Sequence, residues 1–247
     1  MTEETKVFFK TVGLEMNKDK SATNTKVCSE ETRLLDKHEG YKYLGLTESA
    51  EGRSLEENVE VIMKEMERRV ALLAGTKLNA RNSIVAINQH ALSLINYYIG
   101  ILNIEPNKYK EFDDIVRSIL IKYHIHHQPA CKERLYLPRK ELGRGLTNTE
   151  FKSERMLLQL YNTLDKSKET CLRRRAILYI ENKNNSHMSR IALFLKAKYK
   201  TNTPPNLDEL KVIQSKSLYS EISKKYNHAK LYRPNDDPNS SLEESSK

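Results

Sequence analysis

The side chains best suited to chemistry in this sequence are cationic, and they are interleaved with aromatic and turn residues. Arg134, Arg139, Lys140 and Arg144 flank Tyr136 and Pro138 in one turn-rich segment, Arg173-Arg174-Arg175 form a triplet, and Lys196, Lys198 and Lys200 follow at alternate positions. Guanidinium forks match phosphate oxygens, and a tyrosine ring such as that of Tyr136 can stack on a base or ribose, so the chemistry implied is nucleic-acid binding. The plain alternative is a pattern of helix-terminal charges without a ligand.

Other constellations are weaker. Asp113-Asp114 is an adjacent acidic pair, but two-metal catalysis needs carboxylates brought together around paired ions. Inside a helix, neighbouring side chains point about 100° apart. An ion pair between Asp113 and Arg117, spaced i,i+4, is the expectation there. His124, His126, His127 and Cys131 have metal-capable side chains, yet their spacing fits neither a zinc finger nor a helical histidine pair. Gly143-Arg144-Gly145 lacks the Gly-Lys-Ser/Thr ending of a phosphate loop. Cys28, Cys131 and Cys171 are odd in number and far apart, which indicates neither a disulfide framework nor a zinc module.

The charge is concentrated. The 247 residues carry a net +9, yet residues 1–130 sum to −1 and 201–247 to zero. Residues 131–200 hold 17 Lys+Arg against 7 Asp+Glu. Like charges at that density repel unless a polyanion neutralises them, and phosphate backbones are the usual polyanion. No run approaches the roughly 18 apolar residues of a membrane span. The first residues lack the basic and apolar regions of a secretory signal. The expectation is an intracellular protein, nuclear or cytoplasmic, with no membrane partner.

Mostly helical elements must position these groups. Residues 2–10 read as a helix broken at Gly13, Leu14 and Met16 as a half-buried strand, Asn17–Lys20 as a turn, and Ala22–Val27 and Tyr41–Leu46 as extended stretches. Ser54 and Glu57 suggest a capping box. Leu55, Val59, Ile62, Met66, Val70 and Leu73 then form an apolar stripe closed by Gly75. A second helix carries Ile84, Ile87, Ala91, Leu94, Tyr98 and Ile101, and a third Phe112, Ile115, Ile119 and Tyr123. Such stripes can be buried against one another in a bundle. Beyond Gln128-Pro129, Thr147 and Glu150 suggest another capping box. Helices are predicted over about 148–164, 168–181 and 186–200. Pro204-Pro205 reads as a linker before a last helix, Leu207–Tyr226.

Several segments are similar, in order and spacing, to non-LTR retrotransposon reverse transcriptases of the type that inserts into ribosomal DNA. Gly13–Ser21 resembles the palm strand and turn that follow the catalytic Asp-Asp hairpin. Gly40-Tyr41-Lys42-Tyr43-Leu44-Gly45-Leu46 resembles the primer grip, and Asn82–Tyr98, including Ala86-Ile87-Asn88, the thumb helix. The longest resemblance is Asp113–Leu146, above all Arg134-Leu135-Tyr136-Leu137-Pro138-Arg139 and Gly143-Arg144-Gly145-Leu146. Leu142 stands where the family has glycine. The resemblance implies that Lys20 lies near the triphosphate and that Tyr43, Leu44 and Gly45 set the primer end. It further implies synthesis of DNA on an RNA template by a complete enzyme, with Mg²⁺ held by palm aspartates. No aromatic-x-Asp-Asp box precedes Gly13, so no catalytic residue and no cofactor is expected in this chain, and no polymerase activity from it alone.

The expected fold is mostly α: a short α+β palm remnant over 1–50, a three-helix thumb-like bundle over 51–128, a basic helical extension over 129–233 and a disordered tail over 234–247. The palm remnant, lacking its sheet partners, is expected to leave strand edges and apolar residues such as Leu14 and Leu44 uncovered. The expected partner is RNA or an RNA–DNA duplex. A freestanding nucleic-acid-binding protein derived from a decayed element and a helical protein-interaction module are the alternatives.

Overall fold

The computed structural model describes residues 3–15, 17, 21–23, 33–34, 40–43, 45–48, 57–128, 130–166 and 171–225. Lys20, Leu44, the Ser54 end of the first capping box, and the tail lie outside them, as does Tyr226. The chain is mostly α-helical and divides into two compact units, Met1–Ile62 and Met63–Lys247.

The first unit begins with α1, Glu3–Thr11. Gly13 stops it at φ +71°, a left-handed backbone conformation that costs glycine little. Leu14 bonds back to the Phe9 carbonyl rather than joining a strand, and is 58% exposed. Two short ladders follow: β1 (Ala22–Thr23) pairs in parallel with β2 (Arg33–Leu34), and β3 (Tyr41–Tyr43) pairs antiparallel with β4 (Leu46–Glu48). The stretch Tyr41–Leu46 is thus a tight hairpin, not one strand, because Gly45 at φ +88° turns the chain back on itself. Leu46 is buried, and the Asn58 carboxamide pairs with both the N–H and C=O of Thr47, occupying the edge of β4.

The helix α2 (Glu57–Ala74) buries Ile62, Met66, Val70 and Ala74 at four-residue steps, and stops at Gly75. In the second unit, α3 (Ala80–His90) starts from an Asn79 side chain that accepts the Asn82 amide. The predicted single helix from Ile84 to Ile101 breaks at Ala91, where a 3-10 turn, Leu92–Leu94, leads into α4, Ile95–Tyr98. A 3-10 turn advances more degrees per residue, so the buried set shifts to Leu92, Ile95, Ile99 and Leu102, leaving Ile101 outside. Pro106 occupies the first turn of α5 (Pro106–Lys122), where its missing N–H costs nothing. Its buried face is Tyr109, Phe112, Val116 and Leu120; Ile115 and Tyr123 of the predicted stripe are exposed. The inward face includes Asp113, which periodicity of apolar residues alone could not select.

The central element is α6 (Thr149–Asp165), which packs against α4, α5, α7 (Leu172–Lys183), α8 (His187–Tyr199) and α9 (Leu207–Ser223). Helices on both sides of residue 128 therefore share one compact unit. The N-cap of α6 is Asn148, accepting the Phe151 amide, one residue beyond the predicted Thr147. A full capping box, Asn206 with Glu209, opens α9. Pro205, in the expected linker, is buried, so this connection is packed.

Candidate nucleic-acid interface

The segment between α5 and α6 is a buckle built by backbone hydrogen bonds. Arg144 N–H donates to the Arg134 carbonyl, Gly145 to Leu137 and Leu146 to Leu135, at 2.8–2.9 Å. Leu135, Leu137 and Leu146 fill the core beneath it. The Asn88 carboxamide fastens the buckle to α3, donating to the Gly145 carbonyl (2.7 Å) and accepting the Thr147 amide (2.9 Å). A Cβ on Gly143 would lie 2.0 Å from the Leu137 carbonyl oxygen, so only glycine fits there. Leu142, by contrast, is held at φ +56°, a conformation that burdens a side chain with a Cβ.

This geometry divides the predicted cations. Arg134 donates to the Leu142 carbonyl (2.8 Å), and its Nε is buried without a partner among the described residues. It stabilises the turn. Tyr136 is half-buried with its hydroxyl closed off, and burial pushes its phenol above the ordinary value, with Asp113 and Asp114 adding to the effect. The expected role of Tyr136 as a stacking platform is therefore corrected: its ring belongs to the packing. Arg139, Lys140 and Arg144 remain exposed on the outside of the buckle.

A second correction concerns Lys198. Its ammonium pairs with Glu150 and Glu154 across the α6–α8 contact. Glu154 is only 2% exposed and also accepts from the Tyr199 hydroxyl (2.7 Å) and the Gln214 amide (2.7 Å), joining α6, α8 and α9. Desolvation works against the Lys198 charge, but Glu154 and Glu150 outweigh it and hold the ammonium above its ordinary value. Lys198 is thus a structural counter-ion: all three lysines at this end of the chain segment reach solvent, and Lys198 is set apart by its pairing with Glu150 and Glu154. The sequence signal for this network is the i,i+4 spacing of Glu150 and Glu154, which puts both carboxylates on one face of α6.

The arginine triplet lies in the first turn of α7, which has no side-chain cap on Cys171 and no acidic residue in that turn. Arg174 is half-buried, whereas Arg173 and Arg175 are exposed. Cations at the positive end of a helix dipole cost about 0.3–1 kcal/mol each, so local helix stability does not account for this placement. A three-residue connection, 184–186, joins α7 to α8, and the two helices pack on each other.

The remaining candidates serve structure. Asp113 accepts the Thr149 amide through both carboxylate oxygens (3.0 Å each), the Thr149 hydroxyl (2.9 Å) and the Glu150 amide (3.2 Å), and so anchors the start of α6. Arg117 is not its partner: the Arg117 Nε is buried without one among the described residues, while Asp114 pairs with Lys132. Burial pushes the Asp113 carboxyl up to about 7, against the pull of its donors. His126 is buried, which pushes its imidazole below the ordinary value, with Arg117 and Arg144 contributing. Cys131 is buried and donates to Glu133 (3.0 Å), itself paired with Lys225; burial and Glu133 raise the thiol. Among the described residues no three His, Cys, Asp or Glu side chains gather as a metal site. A cavity of about 500 Å³ between α5, α6 and α8 is lined by Tyr109, Glu150, Glu154, His187 and Phe194, but its carboxylates are the ones Lys198 holds.

In the first unit, Tyr43 pairs with Leu46 across the β3–β4 ladder and Gly45 is exposed, while Leu44 lies outside the described residues. Among the described residues no helix is long and apolar enough to cross a membrane. No known family, curated protein or solved structure matches the chain.

Proposed function

We propose that this chain corresponds to the C-terminal portion of a non-LTR retrotransposon reverse transcriptase and grips a template–primer nucleic acid without carrying the catalytic aspartates. The observation that carries the reading is a set of exposed cations: Arg139, Lys140 and Arg144 on a buckle tied to α3 by Asn88, and Arg173, Arg175, Lys196 and Lys200 on or next to the packed helices α7 and α8. Their charges meet phosphates; the packed helices behind them supply the wall.

Two structural details support the family part of the reading. The segments resembling the thumb helix and the run after it are joined physically, through Asn88 and the Gly145–Thr147 backbone. Leu142, at the position where the family has glycine, occupies a left-handed conformation that glycine favours. In a complete polymerase, Mg²⁺ on palm aspartates would drive nucleotide addition; the part assigned to this chain is to hold the duplex.

The test is fluorescence anisotropy with a labelled RNA–DNA hybrid, alongside a primer-extension assay on the same purified protein. Binding of the hybrid with no nucleotide incorporation is expected. Absence of binding at low salt, or incorporation of labelled nucleotide, overturns the proposal.

A further inference from the structure

We infer that the outward face of α7 binds single-stranded nucleic acid, with Tyr179 as its stacking platform. This narrows the nucleic-acid reading above and rests on it.

The helix docks by a thin stripe. Leu178 is its buried residue, with Arg174 and Glu181 half-buried one turn to either side. Everything else faces out. One outward row is Leu172, Ala176 and Ile180; the adjacent row is Arg175, Tyr179 and Lys183, each step being one turn, or about 6 Å of rise. Leu172 is 83% exposed and Tyr179 69%. The side chains of Arg173, Arg175 and Lys183 make no hydrogen bond or ion pair among the described residues. The one acidic residue of the helix, Glu181, belongs to the docking stripe, so every charge on the outward face is positive.

Charge complementarity selects a polyanion, and the aromatic and apolar residues select its form. A duplex hides the faces of its bases and offers only phosphates and groove edges, whereas a single strand presents base faces that stack on an exposed ring. Arg175 and Lys183, one turn on each side of Tyr179, are placed to take the phosphates flanking a stacked base. A membrane-surface helix segregates its cations from its apolar side. Here Arg173 stands between Leu172 and Ile177, and Tyr179 between two cations, an interleaving that favours nucleic acid over a bilayer.

The test uses the full chain with a labelled oligouridylate, an RNA–DNA hybrid of equal length, and vesicles containing phosphatidylserine. Tyr179→Ala is expected to weaken oligouridylate binding about tenfold, to change hybrid binding less than about twofold, and to leave the far-UV circular dichroism unchanged. Tyr179→Phe, which keeps the ring, is expected to restore binding. If both nucleic acids bind but Tyr179→Ala binds oligouridylate like the parent, the α7 inference fails and the broader reading survives. If neither nucleic acid binds, both fail. Capture on vesicles without a Tyr179-dependent preference for the single strand also overturns the inference, as does a Tyr179-dependent self-association that accounts for the exposed face.

Discussion

The buckle at 131–147 and the helix α7 are both rich in cations, yet the fold uses them oppositely. In the buckle, Arg134 bonds to a backbone carbonyl and Tyr136 is packed against the structure, so part of the apparent binding motif holds its own turn together. In α7, Arg173 and Arg175 stand in solvent at the helix end where their charge is least favourable. Charge density in a sequence therefore differs from charge available to a partner. Lys198 makes the same point within one short stretch: exposed like Lys196 and Lys200, it alone of the three is shown pairing with a buried glutamate.

The contrast can be broken most severely at Glu154. Glu154→Ala strands Lys198, the Tyr199 hydroxyl and the Gln214 amide around a void, and a loss of about 3–5 kcal/mol is expected in denaturant unfolding. A loss below about 1 kcal/mol would show that Lys198 is not a structural counter-ion. Next comes Asp113, whose carboxyl is raised from about 3.8 in an ordinary setting to about 7 by burial. A raised folded-state value means that the protonated acid is favoured: its stabilisation is complete below the ordinary value and is lost as pH climbs through the folded one. The unfolding free energy should thus fall between about pH 4 and 7, by at most about 1.4 kcal/mol per unit from this group. Asp113→Asn should remove that slope relative to the parent. A parent and variant with superimposable pH profiles would contradict the assignment.

Smaller effects sharpen the comparison. Leu142→Gly relieves a left-handed leucine and should raise stability by about 1 kcal/mol, offset in part by the flexibility glycine gives the unfolded chain. Destabilisation would mean that the exposed leucine side chain makes contacts that outweigh its backbone conformation. Arg173→Gln with Arg175→Gln should leave stability unchanged or raise it by a few tenths of a kcal/mol, because the dipole no longer opposes them. The same pair should weaken hybrid binding and lower its salt slope by about 2. A marked drop in melting temperature would assign these arginines to the fold instead.

The sequence made the helices legible and the polar joints illegible. Four-residue apolar steps located α2, and short polar caps bounded α6, α8 and α9 to within a residue or two. The break at Ala91 is hidden because Leu92 and Leu94 fit an apolar face in either register, so composition does not reveal the change of helix type. The inward face of α5 is illegible to apolar counting because it carries a carboxylate, and such counting discards carboxylates even when an incoming helix supplies them with donors. The candidate cations were all identifiable as residues. What separates Arg134 and Lys198 from Arg173 and Arg175 is a partner that the fold supplies: a carbonyl across a turn for Arg134, carboxylates on another helix for Lys198. Tyr179 is illegible for the converse reason: an aromatic residue among Ile177, Leu178 and Ile180 reads as core until the docking stripe is known to be Arg174, Leu178 and Glu181.

The most direct measurement is the dissociation constant for an RNA–DNA hybrid across a series of salt concentrations. Release of counterions by the seven exposed cations gives a steep linear fall in log affinity with log salt, with a slope of up to about −6 if all reach phosphates. A slope near zero, or no binding even at low salt, would contradict the account.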